Sequence, residues 1–181
     1  MNDFKETLDL AENIYFNPEL GFKENNTSKL IENFILKYYP QATLTKFAET
    51  GIKFNLGEKK KVHIALIAEM DAVYTPSHFH ANKETGAAHN CGHYSQVAII
   101  LNLLKKLIFN EEYKKLDFSI GFVFTPAEEY LDLEYRKNLQ KNNKIKFLGG
   151  KPEGIRLGIF DEFDLAIAIH SMGGEPNRRS I

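Results

Sequence analysis

Cys91, Gly92 and His93 form a Cys-Gly-His unit that contains the single cysteine of the chain. On an extended segment, residues i and i+2 point to the same side, so both side chains can reach one metal ion. Gly92 lets the backbone bend close to that ion. A lone thiol placed near His89 and His93 suits a thiolate ligand, although taken by itself the unit reads equally well as a buried cysteine before a helix. Glu128 and Glu129 are adjacent carboxylates behind Pro126. Two ionised carboxylates side by side repel unless a cation or a proton separates them. One would bind the ion, and the other would take a proton from an activated water and pass it to a leaving amine. Judged alone, the pair also fits a solvated acidic turn. His170 follows an apolar run and alone reads better as a core histidine. Glu69 and Asp71 are surface turn residues or, better, groups that orient ligands or water from behind. His63 lies within an apolar run and reads as structural, while His78 and His80 sit in an irregular stretch, facing substrate or merely solvated.

Periodicity gives the elements that must position these residues. A helix is expected over 3–16, with Phe4, Leu8, Ala11 and Ile14 on one face, ended by Asn17-Pro18. A second helix is expected over 25–38, and two short strands near 42–48 and 51–56, split by Thr50-Gly51. Val62–Ala68 is a β-branched run suited to a strand buried on both faces. Residues 71–92 look irregular. A strongly apolar helix is expected from Ser95 to Ile108, a strand over Phe118–Phe124, a polar helix over 131–141, a short helix over 152–160 and a last strand over Leu165–Ile169. Alternating strands and helices imply an α/β fold, a mainly parallel sheet with helices on both faces. In such sheets ligands bind at the carboxyl ends of the strands. Glu69 and Asp71, Glu128 and Glu129, and His170 each follow a strand, and Cys91 and His93 precede a helix, so these ends deliver metal-type ligands toward one edge.

Composition closes off other functions. The 181 residues are 43% hydrophobic and 26% charged, which suits one globular domain, 1–181, and excludes a disordered chain. A net charge of -1 offers no field for nucleic acid or an anionic membrane. The N-terminus lacks a basic region leading into an apolar run, and Val97–Ile108 falls short of the ~20 residues of a membrane span. One cysteine and no visible signal peptide point to a cytoplasmic location. No phosphate-cradling glycine loop follows a strand, and no Gly-x-Ser-x-Gly elbow exists. Gly149-Gly150 and Gly173-Gly174 read as isolated loop pairs.

The sequence resembles the metallo-amidohydrolases that include hippurate hydrolase, aminoacylase and auxin-conjugate hydrolases, within the aminoacylase/carboxypeptidase G superfamily. The resemblance is carried by Asn17-Pro18-Glu19-Leu20-Gly21-Phe22 with Thr27, by Thr50-Gly51-Ile52, and by Ala68-Glu69-Met70-Asp71-Ala72. It continues through Thr85 to His93, Pro126-Ala127-Glu128-Glu129 and Ile169-His170-Ser171, in the family's order. It implies two divalent metal ions, zinc or manganese, in a dinuclear-metallopeptidase-like catalytic domain. Cys91 would bridge the ions, His93 and His170 would hold one, Glu129 the other, and Glu128 would be the general base. The substrate implied is an N-acyl amino acid or a small peptide. The sequence departs at Tyr94 and Gln96, where the family often has Asp or Asn and a further His, and at Glu69, where many members have Asp. Family members continue into a lid domain and return to the catalytic domain with a final histidine ligand. The tail after His170 resembles the approach to that lid. The resemblance therefore implies the N-terminal part of a catalytic domain with the second ion only partly ligated, and weak or no activity for this polypeptide alone. Its exposed sheet edges would favour a homodimer or pairing with a separate C-terminal half. Two other readings compete: a degenerate, non-catalytic relative kept for binding or dimerisation, and a flavodoxin-like regulatory domain, which lacks its late strand-end lysine.

Overall fold

Val62–Ala68 and Phe118–Phe124 are the two most continuous apolar runs of strand length, and they form the centre of the sheet. The computed structural model describes residues 4–171. In chain order it contains α1 (Lys5–Phe16), α2 (Asn25–Tyr38), β1 (Thr45–Phe47), β2 (Gly51–Leu56), β3 (His63–Glu69), β4 (Val73–Tyr74), β5 (Ala87–Ala88) and α3 (His93–Phe109). There follow α4 (Glu112–Lys115), β6 (Ser119–Thr125), α5 (Leu133–Lys141), α6 (Gly150–Arg156) and β7 (Leu165–Ala168).

The main sheet runs β1-β2-β6-β3-β7. β6, β3 and β7 are parallel and carry the candidate site, while the β1–β2 hairpin adds to β6 antiparallel. A tight turn at Thr50-Gly51 permits no crossover, which is why that pair is antiparallel. All seven residues of β6 are buried, as its central place requires. Ile52, Phe54 and Leu56 of β2 and Ile120, Phe122 and Phe124 of β6 join Ile14, Ile31, Phe34, Val97 and Leu101 of α1, α2 and α3 in the larger core. Phe54 and Phe122 stack at 5.0 Å. The opposite face places Ala65, Ile67 and Val123 against Leu139, Ile145 and Ile159. Helices therefore cover both faces. β7 is the exception: it is an edge strand and all four of its residues are exposed.

Several boundaries move. The strand expected over 42–48 contracts to Thr45–Phe47, because Ala48 and Glu49 take positive φ to make the turn. The helix expected from Ser95 starts at His93. Gly92, at φ +97, reverses the chain just before it, and its carbonyl accepts from Ser95 and Gln96. Cys91-Gly92-His93 is thus a left-handed turn into a helix, not an extended segment with i and i+2 on one side. The helix expected over 152–160 spans Gly150–Arg156. Within 71–92 a small antiparallel ribbon of β4 and β5 forms. Among the described residues no helix is long and apolar enough to cross a membrane. Gly173-Gly174 and the rest of the tail read as an approach to a lid lie outside the described residues.

Candidate metal centre

Register brings the strand ends level. His63 pairs with Ser119 and, six residues on, Glu69 with Thr125, so β3 and β6 end side by side. The Met70 amide donates to the Thr125 carbonyl (3.1 Å), tying the two following turns together. β7 pairs Ile67 with Ala168, which carries His170 to the level of Glu69. His170 Nε2 lies 3.9 Å from Glu69 Oε2. Helix α3 enters from beside β3 and delivers His93 from its first turn.

His93 is fully buried. Its Nδ1 faces the Asp71 carbonyl at 2.8 Å and the Asp71 carboxylate at 3.3 Å. Those acceptors hold the proton on Nδ1 and leave Nε2 as the free ligand atom. His170 repeats the arrangement: Nδ1 faces the Ser171 carbonyl at 2.6 Å, and Nε2 lies 3.4 Å from Cys91 Sγ. Ser171 Oγ in turn donates to the Cys91 carbonyl (3.0 Å), fastening the cysteine turn to the end of β7. Cys91, His93 and His170 each bring one ligand atom within 4.8 Å of the others, and so do Glu69, His93 and Glu128. Glu129 sits beside the Cys91 thiol, and its amide donates to Asp71 Oδ2 (3.0 Å). Every residue proposed for the site from sequence, Glu69 and Asp71 included, is therefore at one end of the sheet.

The electrostatics are those of an acidic cluster. Burial, then the neighbouring Glu129, Glu128 and Glu69, pushes the Cys91 thiol up to about 12. Without a cation it stays protonated; a bound divalent ion would make it a thiolate. Burial alone would lower His93, but Asp71 and Glu69 outweigh it and raise it to about 10. Burial alone would raise Glu69, but the close His93 imidazole and hydrogen bonds from Lys151 and Gln96 hold it near 2. Burial and the Glu69 charge raise Glu128 above its ordinary value, the direction expected of a group that takes up a proton. The buried His93 Nε2 lies 3.1 Å from Glu69 Oε2 but makes no aligned hydrogen bond. Ligands held ~2.0–2.3 Å from a tetrahedral ion stand about 3.5 Å apart, close to the Cys91–His170 separation. An orphaned imidazole nitrogen among a thiol, a second imidazole and carboxylates fits a divalent transition metal.

Two contributors were missed from sequence. Gln96, noted only as a departure, is buried and grips Glu69: its Oε1 accepts from the Glu69 amide (3.0 Å) and its Nε2 donates to Oε2 (2.9 Å). The longer Glu69 and the amide at position 96 are thus one unit. Lys151, in the first turn of α6, pairs with the Glu69 carboxylate and lies 3.8 Å from Glu128. Its signal was Gly149-Gly150, dismissed as a loop pair. A Cβ at Gly150 would overlap the Pro126 carbonyl oxygen and lie 2.8 Å from its carbon, so only glycine lets α6 approach the Glu128 turn this closely. His63 lies buried at the opposite end of β3, as the structural reading expects. His78 and His80 lie apart, in an aromatic surface cluster with Tyr15, Phe16 and Phe79. His89 is buried beside Tyr94 and held near 4, first by burial and then by the His93 charge.

A family model described as Peptidase family M20/M25/M40 matches residues 65–179. IAA-amino acid hydrolase ILR1-like 2 of Arabidopsis thaliana is 34% identical over 151 residues, covering 79% of this chain and 32% of its own. N-acyl-L-amino acid amidohydrolase of Geobacillus stearothermophilus is 27% identical over 161 residues, covering 87% and 38%. The chain thus spans between about a third and two fifths of the length of these relatives. Among solved structures, the YXEP protein of Bacillus subtilis, described as a dinuclear metal binding peptidase, superposes with a TM-score of 0.72 at 22% identity. That match covers 94% of this chain and 43% of the other, and shows the same fold.

Proposed function

Because the chain belongs to peptidase family M20/M25/M40, we propose that it carries the ligand-bearing part of a metal-dependent amide hydrolase. The observation that carries this reading is the convergence of Cys91, His170 and Glu69 on the orphaned His93 Nε2, with Glu128 alongside. In this reading Cys91, His93 and His170 would hold one divalent ion, and Cys91 and Glu129 would hold a second. The thiol and imidazole donors favour zinc, with manganese the alternative. When bound, the ion pair supplies Lewis acidity to a substrate carbonyl and acidity to a water. Glu128 takes the proton of the attacking water and delivers it to the amine that leaves, a task its raised pKa suits. Asp71 holds His93 in the tautomer that frees Nε2, and also positions Glu129 through its amide. Gln96 and Lys151 fix the two oxygens of Glu69. We propose an N-acyl amino acid or a small peptide as substrate, the class named for the amidohydrolase and IAA-amino acid hydrolase relatives.

Elemental mass spectrometry on the purified chain and on Cys91→Ser tests this reading. About one or two equivalents of zinc or manganese in the wild type, lost in the variant, is the expected result. A wild-type chain that takes up no divalent metal on reconstitution sinks it.

A further inference from the structure

The Asn17–Phe22 and Thr50-Gly51 motifs lie far in sequence from every residue given a role above, yet the structure wraps them around the Glu128 turn. Glu24 is fully buried. Its Oε2 accepts from Thr50 Oγ1 (2.6 Å) and its Oε1 accepts from the backbone amide of Ala127 (2.8 Å). Burial and the nearby Asp71 charge raise its pKa to about 8. Arg136, 1% exposed, closes the turn from the other side. Its Nη1 donates to the carbonyls of Ala127 (3.3 Å) and Leu148 (2.7 Å), and its Nη2 to the carbonyl of Glu129. Ala127 itself sits at φ +51, a left-handed conformation that a residue with a Cβ adopts only when its surroundings impose it. A Cβ at Gly21 would overlap Arg136 Nη2 and lie 2.8 Å from Ala127 Cα, so the glycine lets the 17–24 segment press onto the turn. The same segment reaches the neighbouring turn, where the Ala72 amide donates to the Glu19 carbonyl (2.8 Å).

We infer that Glu24 and Arg136 are positioning residues, a buried clasp that holds the Ala127–Glu129 backbone in its left-handed turn so that Glu128 and Glu129 both face the centre. Ala127 is held at its amide by Glu24 and at its carbonyl by Arg136. Glu129 is held at its amide by Asp71 and at its carbonyl by Arg136. A buried carboxyl and a guanidinium hold this backbone conformation where sequence alone would leave it open. The consequence for chemistry rests on the proposed metal reading; the consequence for the backbone does not.

The test compares the full chain as wild type, Glu24→Gln and Glu24→Ala, with two readouts. The first is residue-resolved amide hydrogen exchange in the presence of a chelator. Glu24→Ala should speed exchange at Ala127 and Glu129 by at least about tenfold while Phe122, at the centre of β6, keeps its protection. Glu24→Gln, which keeps an acceptor for the Ala127 amide, should restore protection. The second is cobalt(II) affinity, followed through thiolate-to-cobalt absorption. Glu24→Ala should bind ~10–100-fold more weakly, the usual effect of losing a group that orients ligands, with Glu24→Gln close to wild type. Unchanged exchange at Ala127 and Glu129 in Glu24→Ala overturns the clasp. So does a loss of protection spread evenly over β6, which would mark a merely structural role, or Glu24→Gln behaving like Glu24→Ala. If the wild type gives no cobalt signal, the metal reading fails and the exchange data still decide the clasp.

Discussion

Gly150→Ala puts two well-known effects in opposition, and the structure says which wins. Gly150 opens α6, so alanine there should stabilise by up to ~1 kcal/mol through helix propensity and a less flexible unfolded chain. Its Cβ, however, would overlap the Pro126 carbonyl oxygen and lie 2.8 and 2.9 Å from the carbonyl carbon and Cδ of the same residue. Two of those atoms are backbone and the third is locked in a ring, so no rotamer relieves the contact. Either the turn leading to Glu128 shifts or α6 lifts away with Lys151. Overpacking of this kind costs ~1–3 kcal/mol, and an unyielding backbone neighbour argues for the upper end. The expected net effect is destabilisation by about 2 kcal/mol after the propensity gain is subtracted. For a chain of this size that lowers Tm by about 4–8 °C. Urea and thermal unfolding in the presence of a chelator would measure it free of any contribution from metal binding, and an unchanged urea m value would show that the unfolded state is unaffected. A variant as stable as the wild type, or more stable, would refute the close approach of α6 to Pro126.

Three further outcomes follow from other parts of the molecule. His63 is buried and neither ring nitrogen makes a hydrogen bond among the described residues; burial lowers its pKa, so it is neutral when folded. Its contribution is intact above the unfolded value near 6.5 and is lost as pH falls from there through the lower folded value. Between pH 7.5 and 5.5 the wild-type urea midpoint should fall relative to that of His63→Phe, whatever the other groups do in common; an equal slope in both proteins would contradict the assignment. Phe122→Ala removes a fully buried ring stacked on Phe54 and should cost ~3–5 kcal/mol in urea unfolding; a loss below 1 kcal/mol would mean the core repacks around the gap. Gln96→Ala frees Glu69 and should weaken cobalt(II) binding ~10–100-fold, measurable by competition with a chromogenic chelator, and should also lower Tm because the buried Glu69 amide loses its acceptor.

The sheet and the helices that flank it were legible because their signals are local. The runs that became β3 and β6 are predominantly apolar, with polar residues at their ends, and α2 and α3 repeat their apolar residues at helical spacing. The residues nominated for chemistry were legible because each directly follows or precedes such an element, and parallel register then brings those ends together. The turn at Gly92 was misread as extended, since a Cys-Gly-His triplet carries no sign of the φ its glycine takes until the helix start is known. Glu24 and Arg136 left no local trace, and Gln96 and Lys151 showed only indirectly, as a departure and beside a glycine pair. A buried Arg or Glu looks in sequence like one in solvent, and what distinguishes them is a contact made across long stretches of chain, such as Glu24 with Ala127. The departure at Gln96 makes sense only once Glu69 is seen to be what it holds.

β7 carries one of the proposed ligands of the centre and is also an edge strand whose residues are all exposed. Among the described residues it pairs with β3 alone, and Leu165 and Ile167 remain 52% and 42% exposed. Cys91, His93 and Glu129 stand on parts of the chain tied to the core, whereas His170 rides on an edge that can peel away at low cost. Loss of β7 pairing would withdraw His170 and, with it, the Ser171 bond to the Cys91 carbonyl. With His170 ligating as proposed, ligation and strand pairing would form one equilibrium. An ion that requires His170 adds its binding energy to the adhesion of β7, and anything that lies along the free edge of β7 tightens the ion in return, by the same factor. The edge is in this sense a throttle on the centre: its occupancy sets how often the fourth of these groups is in place.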